Sequence, residues 1–578
     1  MFLRTKTTPN SPRRSVQIVE NRRDSETGKT KQKILHHVGI AMNEDEEKKL
    51  KDLAKDMIAK MEAAAIADSE QQDLFAETAE SDVKESAKRG RPRQKKLEDI
   101  IVAPQSAAHI TLGEIIEEKR LIEGIHEVGG HVFDNLYLGL GERKSLGYRD
   151  YHRLRDLVLA RIVNPTSKHK AQQNLIQHFN KEHSLDSLYA MMDKVYGEID
   201  TIKAMTFSKT KSLFPDGVDL LLFDVTTLYF ESTDTDEMRG FGYSKDCRFN
   251  TTQVVLALAT NKEGLPIGYE LFNGKTAEVK TLIASIENWK KLFDIGSVCF
   301  IGDRAMMSED NVALLEASGY HYVIAAKLKV MSKEMKEKIL DLKQYDKLTD
   351  QNVKKPKDDD ALLIQEFEYA GKRLVVSHTN ARALKDQKER EAVIAKLEKN
   401  LGEKKKGKAK KLVTNKGVSK FIKMNDSIAV IDEDKIAEDA RWDGLHGVIS
   451  NIPQEEAGRL ELLRRYASLW KIEESFRINK HTLKMRPIFH WKPERVQAHV
   501  AICYMAFSVL RHLEYQANLI QKIPVNKIIE ELLGVQASIY IHKTKKERYR
   551  MPGVFSVDAR KIYRAFNLER SIDAVVYS

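Results

Sequence analysis

An aspartate inside an apolar run constrains this chain more than any other feature of its sequence. Residues 220–230 read LLLFDVTTLYF, an apolar, β-favouring segment of the length of one buried strand, and Asp224 lies in its middle. An ionised carboxylate that leaves water without a partner costs several kcal/mol or more, so it is normally neutralised, hydrogen-bonded or bound to a metal ion. The residues that partner Asp224 therefore decide what the protein does.

Composition narrows the class of protein. Hydrophobic residues make up 42% of the 578 residues and charged residues 31%, which is typical of a globular protein. No apolar run reaches the roughly 18 residues of a membrane helix, and the N-terminus lacks the apolar region of a secretory signal, so we expect a cytoplasmic protein. Cys247, Cys299 and Cys503 are far apart, which indicates neither a disulfide framework nor a zinc site.

Basic residues are concentrated in blocks. The net charge of +11 permits a polyanionic partner without requiring one. In the block KRGRPRQKK at 88–96, the guanidinium groups of Arg89, Arg91 and Arg93 could enter a narrow minor groove of DNA, but a solvated linker is the favoured interpretation. The lysine-rich stretch at 404–411 is read mainly as an exposed loop.

Helical spacing dominates the region before Asp224. A β-hairpin is predicted from Ser15 to Gly39, with residues 24–30 as its loop, and a charged helix follows it. Apolar residues at three- and four-residue spacing then predict helices over 112–125, 132–138, 148–162, 167–179 and 184–206. Cations cluster there, at His152, Arg153, Arg155, Arg161, Lys168, His169 and Lys170. A DNA-binding domain and an ordinary helical bundle with a basic face explain them equally well.

A second acid follows another short strand. Strands are predicted at 251–260 and 265–272, a helix at 278–293, a strand at 297–302 that ends directly in Asp303, a helix at 308–318 and a strand at 320–328. This order indicates a mixed α/β layer fold in which strand ends collect functional groups. Helices at 331–342 and 382–401 and strands at 362–369, 373–377, 428–431 and 447–452 are read as one inserted domain.

A third acid lies in a segment without proline or glycine. Residues 462–484, LLRRYASLWKIEESFRINKHTLK, predict one long helix. Tyr466, Glu473 and Lys480 are spaced by seven and share one face of such a helix, and Arg477 lies near it. A carboxylate beside a phenol and two cations suits a metal site next to a phosphate backbone. The alternative is a surface helix with an ordinary Glu473–Arg477 ion pair.

Together these stretches resemble insertion-sequence transposases of the DDE class, in the branch marked by Tyr-x2-Arg-x3-Glu-x6-Lys. The resemblance covers nearly the whole chain and is carried by FDVTTLYFE around Asp224, by FIGDRAMMSEDNVALL around Asp303, and by YASLWKIEESFRINK followed by MRPIFHWKPERVQAHVAICYMAF. Tyr466, Glu473 and Lys480 occupy the signature positions. Leu469 stands where the motif has Arg, and Arg477 is the candidate to replace it.

The resemblance implies a ribonuclease H-like mixed sheet with flanking helices, interrupted by a long α+β insertion and preceded by a mainly helical DNA-binding region. It implies that Asp224, Asp303 and Glu473 are catalytic and hold two Mg²⁺ ions, with Mn²⁺ as a substitute, because hard cations prefer carboxylate oxygens. Tyr466, Arg477 and Lys480 would contact DNA. Trp442 could stack on an unpaired base, although a packed tryptophan is the favoured alternative.

The expected partners are double-stranded DNA, both the transposon ends and the target, and a second copy of the chain. The expected location is the cytoplasm, in association with the nucleoid. The expected domains are an N-terminal hairpin, charged helix and basic linker (1–100), a helical DNA-binding domain (101–210), the catalytic core in two parts (211–329 and 456–520), an insertion domain (330–455) and a C-terminal helical and basic region (521–578). The rival functions are a silent transposase-derived DNA-binding protein and a structure-selective nuclease.

Overall fold

The computed structural model forms two compact units, residues 1–100 and 101–578. It describes residues 2–7, 14–23, 30–41, 47, 51, 55, 101–102, 110–214, 220–231, 235–241, 251–292, 299–302, 308–348, 361–402, 420–425 and 428–576. The predictions for Asp303, for Arg89, Arg91 and Arg93, for most of the charged helix and for the lysine-rich loop lie outside the described residues.

The first unit contains an antiparallel sheet of three strands. Its strands are β1 (Phe2–Thr7), β2 (Arg14–Arg23) and β3 (Thr30–Ala41). β2 pairs with β3 as the predicted hairpin, which is confirmed, and β1 adds a strand along the other edge of β2.

Short strands and a group of helices open the second unit. They are β4 (Ile101–Val102), β5 (Ile110–Thr111), β6 (Ile115–Ile122), α1 (Gly130–Tyr137), α2 (Gly139–Glu142), α3 (Tyr148–Val163), α4 (Lys168–Phe179), α5 (Leu185–Tyr196) and α6 (Ile199–Ser212). The helix predicted at 112–125 is wrong, because most of that segment is β6. The predicted helix at 184–206 is divided at Gly197 into α5 and α6.

The Asp224 run begins the large sheet. This part consists of β7 (Leu220–Tyr229), β8 (Gln253–Thr260), β9 (Pro266–Asn273), α7 (Thr281–Leu292), β10 (Cys299–Gly302), α8 (Glu309–Ala317) and β11 (His321–Ala325). β7, β8 and β9 form an antiparallel meander, whereas β10 runs parallel to β7 on its other edge and β11 runs parallel to β10. The order of strands and helices predicted here is confirmed.

The segment predicted as an insertion adds strands to the same sheet. Its elements are α9 (Lys333–Leu340), β12 (Asp346–Leu348), β13 (Leu362–Tyr369), β14 (Lys372–His378), α10 (Asn380–Gly402), β15 (Ile422–Asn425), β16 (Ile428–Ile431), α11 (Glu433–Ala440) and β17 (Leu445–Ser450). Because β17 pairs with both β11 and β14, the described strands form a sheet in the order β12-β13-β14-β17-β11-β10-β7-β8-β9.

The last part of the chain supplies the central helix. Its elements are α12 (Arg459–Ala467), α13 (Trp470–Arg477), α14 (Pro493–Asn518), α15 (Val525–Gly534), β18 (Gln536–His542), β19 (Arg548–Pro552), α16 (Val557–Ala565) and β20 (Val575–Val576). α14 is buried around most of its circumference and packs against α1, α3, α5, α6 and β9. β18 pairs with β6, which is why residues 115–122 are extended. Among the described helices, none is long and apolar enough to cross a membrane.

The two faces of the large sheet differ in what covers them. Side chains alternate between the faces along a strand. Leu220, Leu222 and Leu228 of β7 belong to the core formed with α14 and α13, and we call this side the front face. Leu221 and Phe223 face the opposite side, which α7 and α8 cover. Asp224, two residues from Leu222, therefore lies on the front face.

Candidate active site

Asp224 lies near the middle of β7 and is half-buried. Its Oδ1 atom accepts a hydrogen bond from the backbone N–H of Val225 at 2.7 Å. The position is opposite Leu258 on β8. A partly solvated carboxylate on a rigid strand can serve as a fixed oxygen ligand, and the strand holds it at the front face where α13 also packs.

Asp303 itself is outside the described residues, but the strand that leads to it is not. β10 ends at Gly302, and Gly302 is the register partner of Phe223 in the parallel pairing with β7. Consecutive Cα atoms are about 3.8 Å apart and neighbouring strands about 4.8 Å apart. The chain therefore enters Asp303 from a point beside the residue that precedes Asp224.

The helix that carries Glu473 is segmented, which corrects the prediction of one continuous helix at 462–484. α12 ends at Ala467, α13 covers Trp470–Arg477, and a π-helical turn follows at Ile478–Thr482. Backbone bonds from Leu469 N to Tyr466 O and from Ile472 N to Leu469 O show tighter winding at the junction. Tyr466, Glu473 and Lys480 therefore do not lie on one continuous straight helix, and their seven-residue spacing does not by itself place them on a shared face.

Glu473 and Glu474 are adjacent on α13. α13 packs on β7 and β8 and buries Ile472 and Phe476. At about 100° per residue, Glu473 and Glu474 point in directions about 100° apart, and both lie outside this stripe. Glu474 faces the turn between β8 and β9, since Arg511 contacts both Glu474 Oε2 at 3.3 Å and a backbone carbonyl of that turn. Glu473 is exposed on the helix surface, and its approach to Asp224 and Asp303 remains a prediction.

The signature residues around Glu473 occupy different environments. Tyr466 is half-buried, and its ring centroid lies 5.2 Å from that of His446. Lys480 is half-buried, with its ammonium nitrogen 5.9 Å from the Phe476 ring centroid. Leu469, which replaces the signature Arg, packs against the large core and presents no cation.

Arg477 is exposed and pairs with Glu474 rather than Glu473. Its Nη2 atom lies 3.2 Å from Glu474 Oε1. An exposed pair of this kind contributes little to stability, typically below about 1 kcal/mol, so a phosphate can compete for the guanidinium group. The ordinary Glu473–Arg477 ion pair weighed as the alternative is not the pair that forms.

Trp442 is 8% exposed and packs in a core cluster with Leu328, Met331 and Leu445. This is the packing that the favoured alternative predicts. Its ring also lines a cavity of about 490 Å³ together with Tyr466, Lys327 and Arg382. Burial and the Arg382 charge lower the pKa of His446, in the same wall, to about 4. No local sequence pattern predicts this cavity, because its walls come from elements far apart in the chain.

The donor atoms present suit a hard divalent cation. Asp224 and Glu473 offer carboxylate oxygens, the ligands that Mg²⁺ prefers. Among the residues that the structure describes, no three His, Cys, Asp or Glu side chains are grouped closely enough to hold one metal ion. Because Asp303 is not one of those residues, the predicted set of three carboxylates remains a prediction.

Arg161 and Lys168 were predicted among the cations of a basic face, but both are buried. They hold the segment that follows Lys480 in place. Arg161 donates to the carbonyl oxygen of Lys484 at 3.0 Å, and Lys168 donates to Nδ1 of His499 at 3.2 Å. His499 Nε2 donates to the carbonyl oxygen of Met485 at 3.1 Å. Arg161 and Lys168 are buried and cannot lie on a DNA-facing surface, whereas His152, His169 and Lys170 are exposed.

This cluster predicts a pH-dependent stability. Burial, and then the Arg161 charge, lower the pKa of Lys168 from its ordinary value of 10.5 to about 7. Between these values the unfolded chain binds a proton that the folded chain has released, so the free energy of unfolding should increase with pH. The neighbouring His490 and His499 have pKa values lowered by burial and stay neutral over this range.

Urea unfolding of the protein and of Lys168→Met between pH 7 and pH 9.5 tests this expectation. The midpoint of the unmodified protein, relative to the variant, should rise with pH. A difference between the two midpoints that is independent of pH would contradict the assignment.

Two family models match the chain, and both describe transposases. The family described as "Transposase DDE domain" matches residues 217–509, and the family described as "IS1634 family transposase, N-terminal domain" matches residues 3–72. No curated protein matches the chain.

Two solved structures are remotely similar. A piggyBac transposase synaptic complex with hairpin DNA is 9% identical, with a TM-score of 0.33 over 72% of this chain and 78% of that one. A Mos1 transposase paired-end complex is 11% identical, with a TM-score of 0.14 over 27% of this chain and 53% of that one. At these TM-scores neither similarity bears on the fold or the site.

Proposed function

Because the chain belongs to the DDE transposases of insertion sequences, enzymes that cleave DNA and transfer its strands, we propose that Asp224, Asp303 and Glu473 are its catalytic carboxylates. We propose further that they hold two Mg²⁺ ions and act on the ends of the element that encodes the protein.

One observation carries the assignment. β10 ends beside Phe223, the residue before Asp224, and α13, which carries Glu473, packs on β7 and β8. This arrangement supports the proposal that three acids far apart in sequence act at one site on the front face. The meander of β7, β8 and β9, with β10 and β11 parallel to β7, supports the finer proposal of a ribonuclease H-like core.

Each residue has a separate part in the chemistry. Asp224, on the rigid strand, would hold the ions together with Asp303 and Glu473. When bound, the ions supply activation of the attacking oxygen and stabilisation of the leaving oxygen. Tyr466, Arg477 and Lys480 would position the cut strand through its phosphates. Water and a DNA 3′-hydroxyl can attack in turn at one site, so cleavage and joining need no second centre.

The remaining parts of the proposal concern assembly. Two ends must be held together for joining, which favours at least a homodimer. Arg89, Arg91 and Arg93 remain candidates for a minor-groove contact, and Trp442 for stacking from the wall of the Tyr466 cavity. The boundaries proposed at 210, 329, 455 and 520 remain predictions, although β12, β13, β14 and β17 continue the sheet begun by β7.

A strand-transfer assay tests the proposed function. The substrate is a duplex with the terminal inverted repeat that flanks the gene, pre-cut to leave a free 3′-hydroxyl, and the target is supercoiled plasmid. We expect joined product with Mg²⁺ or Mn²⁺ and none with a 3′-deoxy end. Metal-dependent cleavage of the uncut end without any joining would indicate a nuclease and overturn the proposal.

A further inference from the structure

The segment 486–491 meets the end of β7 through Ile488. The N–H of Ile488 donates to the carbonyl oxygen of Tyr229 at 3.0 Å, and Ile488 bridges Phe230 in the parallel sense. Phe230 N–H points the other way, to Thr252 beside β8. Successive backbone groups of a strand point to opposite edges, so Ile488 occupies the edge on which β10 pairs. It does so beyond Gly302, where the described part of β10 ends.

Two large aromatic side chains follow at this edge and face solvent. Phe489 is 60% exposed and Trp491 is 63% exposed. Asp224 is six positions before Phe230, which directly follows β7, so Phe230 lies roughly 20 Å from it at about 3.3 Å per strand residue. The aromatic pair follows Ile488, the bridge partner of Phe230, and therefore lies at least about as far from Asp224. An exposed tryptophan beside a catalytic strand exposes apolar surface that a soluble chain normally buries unless a partner covers it.

The guanidinium group of Arg239 lies against the ring of Trp491. Arg239 is 7% exposed, and its Cζ atom lies 5.6 Å from the ring centroid of Phe230 and 5.6 Å from that of Trp491. Its Nε atom donates to Asp236 Oδ2 at 2.6 Å, which fixes its orientation. Its Nη1 atom has no hydrogen-bond partner among the described residues. The Arg239 guanidinium group thus lies within cation–π distance of both the Phe230 and the Trp491 ring, and the Trp491 ring is largely in solvent.

The positive charge of residues 480–495 favours a polyanionic partner. Residues 480–495 read KHTLKMRPIFHWKPER and contain five Lys or Arg side chains and a single acidic one. Of these, Lys484 and Lys492 are exposed on either side of the aromatic pair. Exposed rings interleaved with cations match a nucleic acid strand, since the cations meet phosphates and the rings stack on bases. Bases within a duplex are already stacked on each other, so only an unpaired base can use the ring.

We propose that Trp491, positioned by Arg239, is a stacking platform for an unpaired base of the DNA strand that runs through the Asp224 site. The proposal rests on the proposed function, because it takes the DNA to lie along this edge of β7. Neither metal binding nor phosphate positioning accounts for the exposed aromatic rings of the MRPIFHWKPER stretch, and base stacking does.

Fluorescent DNA tests the platform separately from cleavage. The protein carries Glu473→Gln, and the probe is an end duplex with one unpaired 2-aminopurine about six nucleotides from the scissile phosphate, the spacing that roughly 20 Å corresponds to at about 3.4 Å per nucleotide. It is compared with the same duplex fully paired. We expect 2-aminopurine quenching on binding, and Trp491→Ala should remove it and weaken binding of the unpaired probe by about 5- to 100-fold. The fully paired duplex should lose no more than about 2-fold. Trp491→Phe should retain most of the preference for the unpaired probe.

Trp470→Ala is the matched control, because Trp470 is 55% exposed on the surface of α13 but lies beside Glu263 and Arg511 rather than at the β10 edge. It should bind both probes like the parent. The platform would be overturned if Trp491→Ala weakened binding of both probes equally or of neither. It would also be overturned if the only effect of Trp491→Ala were a change in self-association, measured by sedimentation. Since binding is measured without cleavage, these outcomes differ from failure of the catalytic assignment, in which Glu473→Gln alone would still cut DNA.

Discussion

Glu473→Gln and Asp224→Asn should each reduce end cleavage and strand transfer by about 10³-fold or more, with end binding within roughly 3-fold of the unmodified protein. Each substitution keeps the size of the side chain and removes the negative charge that a hard cation requires. Cleavage of a labelled end duplex at saturating protein separates the chemical step from binding. A thermal shift on addition of Mg²⁺, seen in the unmodified protein, should be reduced in both variants.

Glu474→Gln provides the matched control for Glu473→Gln. The two glutamates are adjacent on α13, but Glu474 faces the turn between β8 and β9 and contacts Arg511. Its cleavage rate should remain within about 3-fold of the unmodified protein if position, rather than charge on the helix, is decisive. Normal cleavage by Glu473→Gln would refute the site assignment directly.

Arg511→Met should lower the free energy of unfolding by about 3–5 kcal/mol, because it removes one partner of a buried ionic network. Arg511 is 6% exposed and connects three elements. Its Nε atom donates to the carbonyl oxygen of Gly264 at 3.0 Å, and its Nη1 atom lies 2.6 Å from Glu514 Oε2. Burial raises the pKa of Glu514, so loss of Arg511 leaves a poorly solvated carboxyl group.

Urea unfolding followed by circular dichroism measures this effect. Arg459→Met is the control, since Arg459 makes a single exposed ion pair with Asp346 at 2.7 Å and its loss should cost less than about 1 kcal/mol. Equal midpoints for the two variants would show that Arg511 does not stabilise the contact between the β8–β9 turn, α13 and α14.

Local sequence patterns predicted most of the large sheet. The apolar run around Asp224 and the patterns at 265–272 and 308–318 each act within a few residues, and β7, β9 and α8 begin close to where these patterns begin. A predicted strand end also marked Asp303, whereas Asp224 was marked by its place inside an apolar run. The family signature around Glu473 then indicated the function.

Partners distant in the chain decided the rest. Residues 115–122 carry a helix-like pattern, yet they are extended because Gln536–His542 offers an open edge with which they pair. Arg161 and Lys168 look like surface cations, but α14 and the segment at 484–485 cover them.

The sequence by itself determined which stretches are buried and which acids are candidates, because alternation and spacing report burial on one face at a time. Only the tertiary structure decided that 330–455 extends the sheet, that Glu474 rather than Glu473 pairs with Arg477 and Arg511, and that Arg239 lies against Trp491. These depend on which surfaces meet, and pairing energy between distant segments leaves no local pattern in either one.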